Sequence, residues 1–195
     1  MRFIGFYDYT VILTYMSLVS AVCGMTFASQ GKFTAAVLCL FFCGFCDAFD
    51  GTVARSKKNR TDDEKAFGIQ IDSLCDCVSF GVFPAMLCYF MGVNSWIGIV
   101  IVCAFSLCAV IRLGFFNVLE AKRQQTEEGG NKIYRGLPVT SIAALLPFTY
   151  LFHNIIPANV FVIVLHVLLA LVAFLFIFDF TVKKPDIGKI FTKAK

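Results

Sequence analysis

Apolar runs long enough to cross a lipid bilayer recur from one end of this chain to the other, and nothing else limits its fold so severely. A hydrocarbon layer about 30 Å thick takes about 20 helical residues to span. In lipid each backbone polar group must find its partner inside the segment, so each run is predicted to be a helix. Between clusters of charge the runs fall at about Val11–Ala28, Phe33–Phe49, Ile71–Phe90, Ser95–Val118, Val139–His153 and Val160–Phe180. The second and fifth are short, so their helices are expected to continue into the interface or to end within protein. Composition agrees: 58% of residues are apolar and 15% charged, against about a quarter charged in a soluble domain. The fold class is therefore all-α integral membrane, with six transmembrane helices in a single domain over residues 1–195. Residues 1–10 read as a short interfacial lead-in with aromatics at headgroup depth, and 181–195 as a tail. The lead-in lacks the charge and small-residue cleavage site of a signal peptide.

The orientation follows from the basic residues. Of the 17 lysines and arginines, all but Lys32 fall at the N-terminus, between spans 2 and 3, at and after the end of span 4, or in the tail. By the positive-inside rule both termini are cytoplasmic and the number of spans is even. These basic residues serve topology and anionic headgroups, and no nucleic acid partner is expected. The lipid bilayer itself is the first partner.

The stretch "DAFDGTVAR" closes span 2 and "DSLCD" opens span 3, so both meet the same cytoplasmic membrane face. On helices, Asp47 and Asp50 are spaced i, i+3 and Asp72 and Asp76 i, i+4, so each pair shares one face. Two antiparallel neighbours bring all four carboxylates to a common point. Such a group cannot stay fully ionised without compensation. All-oxygen ligands point to one or two divalent cations such as Mg²⁺, Mn²⁺ or Ca²⁺, and a two-metal site suits in-line displacement at phosphorus. Gly51 leaves the backbone open to a nucleotide or diphosphate, Ala54 keeps that face small, and Arg55 is a planar donor for phosphate oxygens. Gly68 gives a second open position on the facing segment. A bland alternative reads carboxylates as solvating charges. It accounts for Asp62, Asp63 and Glu64, but not for four carboxylates interrupting apolar faces, where each costs about 2.5–3.5 kcal/mol at mid-membrane and less near the interface. Cys43-x-x-Cys46 and Cys75-x-Cys77 suggest zinc only superficially; among carboxylates and within apolar runs, cysteines read as small hydrophobes.

Taken together, Asp47-x2-Asp50-Gly51-x2-Ala54-Arg55 and Gly68-x3-Asp72-x3-Asp76 resemble the signature of the CDP-alcohol phosphatidyltransferases, six-helix membrane enzymes that are usually dimeric. The twelve-residue spacer from Arg55 to Gly68 is longer than is common there and is similar to the phosphatidylserine synthase branch. "DSLCDCVSFGVFPA", "IRLGFFN", "YRGLPVTSIAALLP" and "FYDYTVILTYMSL" resemble that branch too, so the likeness covers most of the chain. Two departures are Phe115, where the branch often has a second arginine, and the lack of a Pro-Asn pair opening span 1.

The resemblance implies CDP-diacylglycerol as donor, L-serine as acceptor, Mg²⁺ or Mn²⁺ as cofactor, and a homodimer. It implies that Asp47, Asp50 and Asp72 ligate metal, with Asp76 near a second ion and acting as general base. Asp47, Gly51, Ala54 and Arg55 would hold the cytidine diphosphate. For the serine carboxylate, Arg112 is the foremost candidate, being an arginine within an apolar span; Asn117 and Arg135 are the others. Snorkelling to the interface is the plain alternative for Arg112, and a place in the loop charge cluster for Arg135. His166 and His153 read as packed or interfacial residues, Trp96 and Tyr89 as interfacial anchors, and Glu127–Gly130 as a loop tip. Rival readings are the same chemistry on glycerol 3-phosphate or an inositol phosphate, an archaeal-type lipid donor, and a cation transporter. Clustering of the aspartates at one face disfavours the last.

Overall fold

The computed structural model describes residue 5 and residues 9–56, 61–125 and 133–183. Helices α1 (Ile12–Ser29), α2 (Phe33–Ser56), α3 (Asp62–Asp76), α4 (Phe83–Phe90), α5 (Trp96–Gln125), α6 (Ile142–Tyr150) and α7 (Ala158–Ile177) follow in chain order. Five stretches are long and apolar enough to cross a membrane: α1, Phe33–Gly51 of α2, Asp62–Phe90, Trp96–Ala121 of α5, and α7. The protein is an integral membrane protein. The remaining expected span, Val139–His153, is a shorter apolar stretch, Val139–Tyr150, made of one 3-10 turn and α6. Twelve residues of helix reach only about 18 Å. Chain turns of 151–156 then lead into α7.

The packing of α1 shows how a chain folds when its solvent is lipid. Its buried residues are Thr14, Ser17, Ala21, Gly24 and Ala28, a stripe of small side chains at helical spacing. Its large side chains, Ile12, Met16, Val19 and Val22, point outward. Lipid tails are as apolar as leucine, so burying leucines gains little there. Close approach of small residues to a neighbour gains more. Gly24 is the tightest point: a Cβ there would lie 2.2 Å from the Phe83 ring. Across from α1, helix α2 buries Ala36, Leu40 and Cys43 and turns Leu38, Phe41, Phe42, Phe45 and Phe49 outward. Asp47 and Asp50 continue that inward stripe by the same steps of three and four residues.

Helix α3 begins where the sequence supplies a start signal. Thr61 Oγ1 accepts from Glu64 N at 3.2 Å and Glu64 Oε2 accepts from Thr61 N at 2.9 Å, a complete capping box. Asp62, Asp63 and Glu64 fill the first turn, where the helix dipole favours negative charge. The three carboxylates set aside from the site thus have a local task. Between α3 and α4, Cys77–Val82 form a π-helical turn, so Asp62–Phe90 is one rod with a widened segment after Asp76. Such turns occur often at functional sites. Here the Ser106 hydroxyl of α5 donates to the Gly81 carbonyl at 3.1 Å.

The core draws on α1, α2, α4, α5, α6, α7 and the π turn, and its largest side chains include Phe80, Phe83, Leu87, Phe105, Leu146, Leu165, Leu169 and Phe176. After α7 the chain does not simply trail away as a tail from 181. Thr181–Lys183 form strand β2, antiparallel to β1 (Ile133–Arg135), with Arg135 opposite Thr181. Residues 1–4, 6–8, 57–60, 126–132 and beyond 183 lie outside the described residues, and with them Asp8 and the Glu127–Gly130 tip.

Candidate active site at the α1–α2–α3 crossing

Three carboxylates converge. Ligand oxygens of Asp47, Asp50 and Asp72 lie within 4.8 Å of one another. Asp50 accepts from the Thr14 hydroxyl of α1, and the carboxyl groups of Asp50 and Asp72 are in hydrogen-bonding contact across α2 and α3. Asp72 Oδ1 is buried without a hydrogen-bond partner. A buried acceptor left unsatisfied is costly, and three carboxylates at this spacing repel. Both features fit a hard divalent cation, which would take the free oxygen and offset the repulsion. The grouped donors are all carboxylates, with no cysteine or histidine among them, a set that suits a hard cation better than zinc.

Asp76 stands one helical turn beyond Asp72 and outside the group of three, yet near enough that Asp72, Asp47 and Asp50 all act on it electrostatically. The sequence places these residues at the ends of spans. In the structure they lie well inside helices, because α2 continues to Ser56 and α3 begins at Asp62. Charged and capping residues extend both helices past the apolar segments that define the spans. Gly51 and Ala54 lie on the last turns of α2, as does the backbone of Arg55. The side chains of Ala54 and Arg55 are outside the described residues.

Below the carboxylates a ladder of hydroxyls ties α1 to its neighbours. The Ser17 and Ser79 hydroxyls are 3.2 Å apart, Cys43 Sγ donates to Ser17 O at 3.2 Å, and Ser20 Oγ donates to Cys39 O at 3.1 Å. Bonds of this kind between membrane helices average about 0.6 kcal/mol each. Their value here is to hold α1 in register, and with it Thr14. Sequence reasoning missed Thr14. Its only signal is that it starts the small-residue stripe of α1 at helical spacing from Ser17 and Ala21.

The three residues proposed for an acceptor lie on two elements, Arg112 and Asn117 on α5 and Arg135 on β1. Asn117 lies beside the carboxylates: its Oδ1 accepts from the Ser73 hydroxyl at 2.8 Å, next to Asp72. Arg112 is 6% exposed, so it does not snorkel to water. Its guanidinium lies 4.2 Å from the centroid of the Phe116 ring, a cation–π contact. It also abuts Gly136. Arg135 contributes backbone to β1, and its side chain is outside the described residues. The cysteines are free, with Cys43, Cys46, Cys75 and Cys88 buried as small hydrophobes.

Comparison with known proteins agrees with the geometry. The CDP-alcohol phosphatidyltransferase profile matches residues 9–176. Archaetidylserine synthase of Methanothermobacter thermautotrophicus is 33% identical over 141 residues, covering 72% of this chain and 56% of that protein. CDP-diacylglycerol–serine O-phosphatidyltransferase of Saccharomyces cerevisiae is 35% identical over 156 residues, 77% of this chain and 55% of that one. The Bacillus subtilis protein of the same name is 40% identical over 90 residues, 45% of this chain and 49% of its own. The chain spans about half the length of these curated relatives.

Proposed function

Because the chain belongs to the CDP-alcohol phosphatidyltransferase family, we propose that it transfers the phosphatidyl group of CDP-diacylglycerol to L-serine, giving phosphatidylserine and CMP. The observation that carries this is the meeting of Asp47, Asp50 and Asp72 around a buried, unsatisfied carboxylate oxygen. Relatives named for serine transfer favour serine over other alcohols. The archaeal relative is named for archaetidylserine, so an archaeal-type lipid donor keeps the same acceptor.

In this reading Asp47, Asp50, Asp72 and Asp76 hold one or two Mg²⁺ or Mn²⁺ ions. The cation supplies Lewis-acid stabilisation of charge on the diphosphate and on departing CMP. Thr14 fixes the Asp50 carboxylate by its hydroxyl. Gly51, Ala54 and Arg55, following on the same helix, cradle the cytidine diphosphate. Asp76, outside the group of three, accepts the serine hydroxyl proton as that oxygen forms its bond to the lipid-bearing phosphorus. The bond between that phosphorus and the CMP oxygen breaks, and its electron pair leaves with CMP. Arg112 receives the serine carboxylate, with Asn117 and Arg135 as further contacts. The site and both termini face the cytoplasm, on the strength of the basic residues, and the protein works as a homodimer. The short α6 and its flanking turns serve as the sixth membrane element.

Purified protein incubated with CDP-diacylglycerol, Mn²⁺ or Mg²⁺ and labelled serine tests the assignment: labelled phosphatidylserine and stoichiometric CMP are expected. Release of CMP with glycerol 3-phosphate or an inositol phosphate, and none with serine, overturns the acceptor.

A further inference from the structure

Two hydrogen bonds fix how α5 lies against the rod formed by α3, the π turn and α4. Ser73 bonds Asn117 and Ser106 bonds Gly81, so the two elements run antiparallel. Asp76 lies between Ser73 and Gly81 on the rod, and Arg112 between Ser106 and Asn117 on α5. The proposed base and the buried arginine therefore both fall within the stretch where the two elements are pinned together.

The surroundings of Arg112 restrict how its guanidinium can point. The Phe116 ring covers it at 4.2 Å. A Cβ on Gly136 would lie 2.9 Å from Nη1 and 3.1 Å from both Cζ and Nη2, so the cation also rests against bare backbone. Gly136 has φ +67°, a conformation that other residues seldom adopt. Its N–H donates to Phe180 O at 2.6 Å, and Leu137 N–H to Leu175 O at 3.5 Å, next to the β1–β2 ribbon. Asp179, on the same stretch after α7, acts on Arg112 electrostatically. A guanidinium held against a ring and against bare backbone is restricted in orientation, and a guanidinium carries the parallel N–H pair that matches a carboxylate.

We infer that Gly136 and Phe116 are positioning residues that set Arg112 for the carboxylate of the acceptor, and that the chain after α7 holds Gly136 in place for this task. The inference rests on the serine reading above and adds the device that makes the arginine selective. It also gives the segment 178–183 a part in the acceptor site, although it follows the last helix.

Steady-state kinetics on the full chain in detergent tests it. Wild-type turnover with serine comes first: if serine is not used at all, the serine reading falls, whatever the variants do. Given turnover, Gly136→Ala is expected to raise the serine KM at least tenfold and leave the CDP-diacylglycerol KM within twofold. Phe116→Leu should do the same to a smaller degree, and Phe116→Tyr, which keeps a ring, should restore the wild-type serine KM. An unchanged serine KM in Gly136→Ala overturns the inference, as does an equal rise in both KM values. Should Gly136→Ala fail to fold, the split between Phe116→Leu and Phe116→Tyr decides alone, and equal serine KM values in those two overturn it.

Discussion

Thr34 and Asp50 stand on the same helix, about 24 Å apart along its axis, and they belong to polar groups managed in opposite ways. Near Thr34 every contact is closed locally. Its hydroxyl lies 3.0 Å from the Tyr150 hydroxyl, and His153 stacks on the Tyr150 ring at 4.1 Å while its Nδ1–H donates to Tyr150 O at 2.7 Å. His166 likewise gives its Nδ1–H to Val162 O at 2.7 Å on its own helix, and its Nε2 lies 3.5 Å from Ser95 Oγ, which caps α5 by accepting from Gly98 N. Around Asp50, by contrast, acidic groups crowd one another and Asp72 Oδ1 is left unsatisfied. A fold keeps a group of the first kind because it stabilises. It keeps one of the second kind only if something outside the chain completes it. The same two residue classes, polar groups inside apolar helices, are thus sorted into structural and chemical roles by their bonding.

The sharpest way to break this contrast is at the unsatisfied end. Asp72→Asn should lower turnover by at least about a hundredfold, the scale of losing one preorganised charge in an active site. It should also remove the stabilisation that Mn²⁺ gives in thermal unfolding. Retained Mn²⁺ stabilisation would show that the carboxylates do not bind the ion together. Asp76→Asn should abolish turnover yet leave nucleotide binding largely intact, and near-normal activity would end the general-base role. Thr14→Val is expected to cost about tenfold in turnover, since a hydrogen bond to a charged group contributes about 1.5–3 kcal/mol. An equal loss of nucleotide affinity would instead point to a misplaced α1. Gly24→Ala forces a methyl into the Phe83 ring and should lower unfolding stability in detergent by about 1–3 kcal/mol, with the residual folded enzyme still active. At the closed end, His166→Gln should shift stability by only about 0.6 kcal/mol and turnover by less than twofold. A large activity loss there would erase the distinction between the two groups.

Much of the carboxylate site was legible from sequence because helical spacing and positive-inside charge are local signals. Asp47 shares a face with Asp50, and Asp72 with Asp76, by arithmetic alone, and the structure brings Asp47, Asp50 and Asp72 together. What stayed hidden depends on partners far apart in the chain. Thr14 matters because of Asp50, and Arg112 is buried because Gly136 and Phe116 enclose it. No window of sequence contains both halves of either arrangement. The β1–β2 pairing was equally hidden, since two three-residue strands separated by two helices carry no pattern of their own. The short α6 looked like a span because its composition is apolar; its length is set by the turns at 151–156, which interrupt an apolar run without a charged residue to mark the break.

The widened turn at Cys77–Val82 has a further consequence for the rod that contains it. In a regular helix each residue advances the face by about 100°, so one extra residue in a turn lets the parts on either side be phased independently. On a regular α-helix Asp72, Asp76, Phe83 and Leu87, spaced by four, seven and four residues, would share one stripe; the π turn at Cys77–Val82 lets the two aspartates and the two core residues face different ways. Winding the same six residues as regular α-helix, with none removed, would swing the carboxylates by about 100° relative to Phe83 and Leu87, away from the face on which Asp47 and Asp50 wait. The rod works as two dials on one shaft, and the π turn is the coupling that keeps them at different settings.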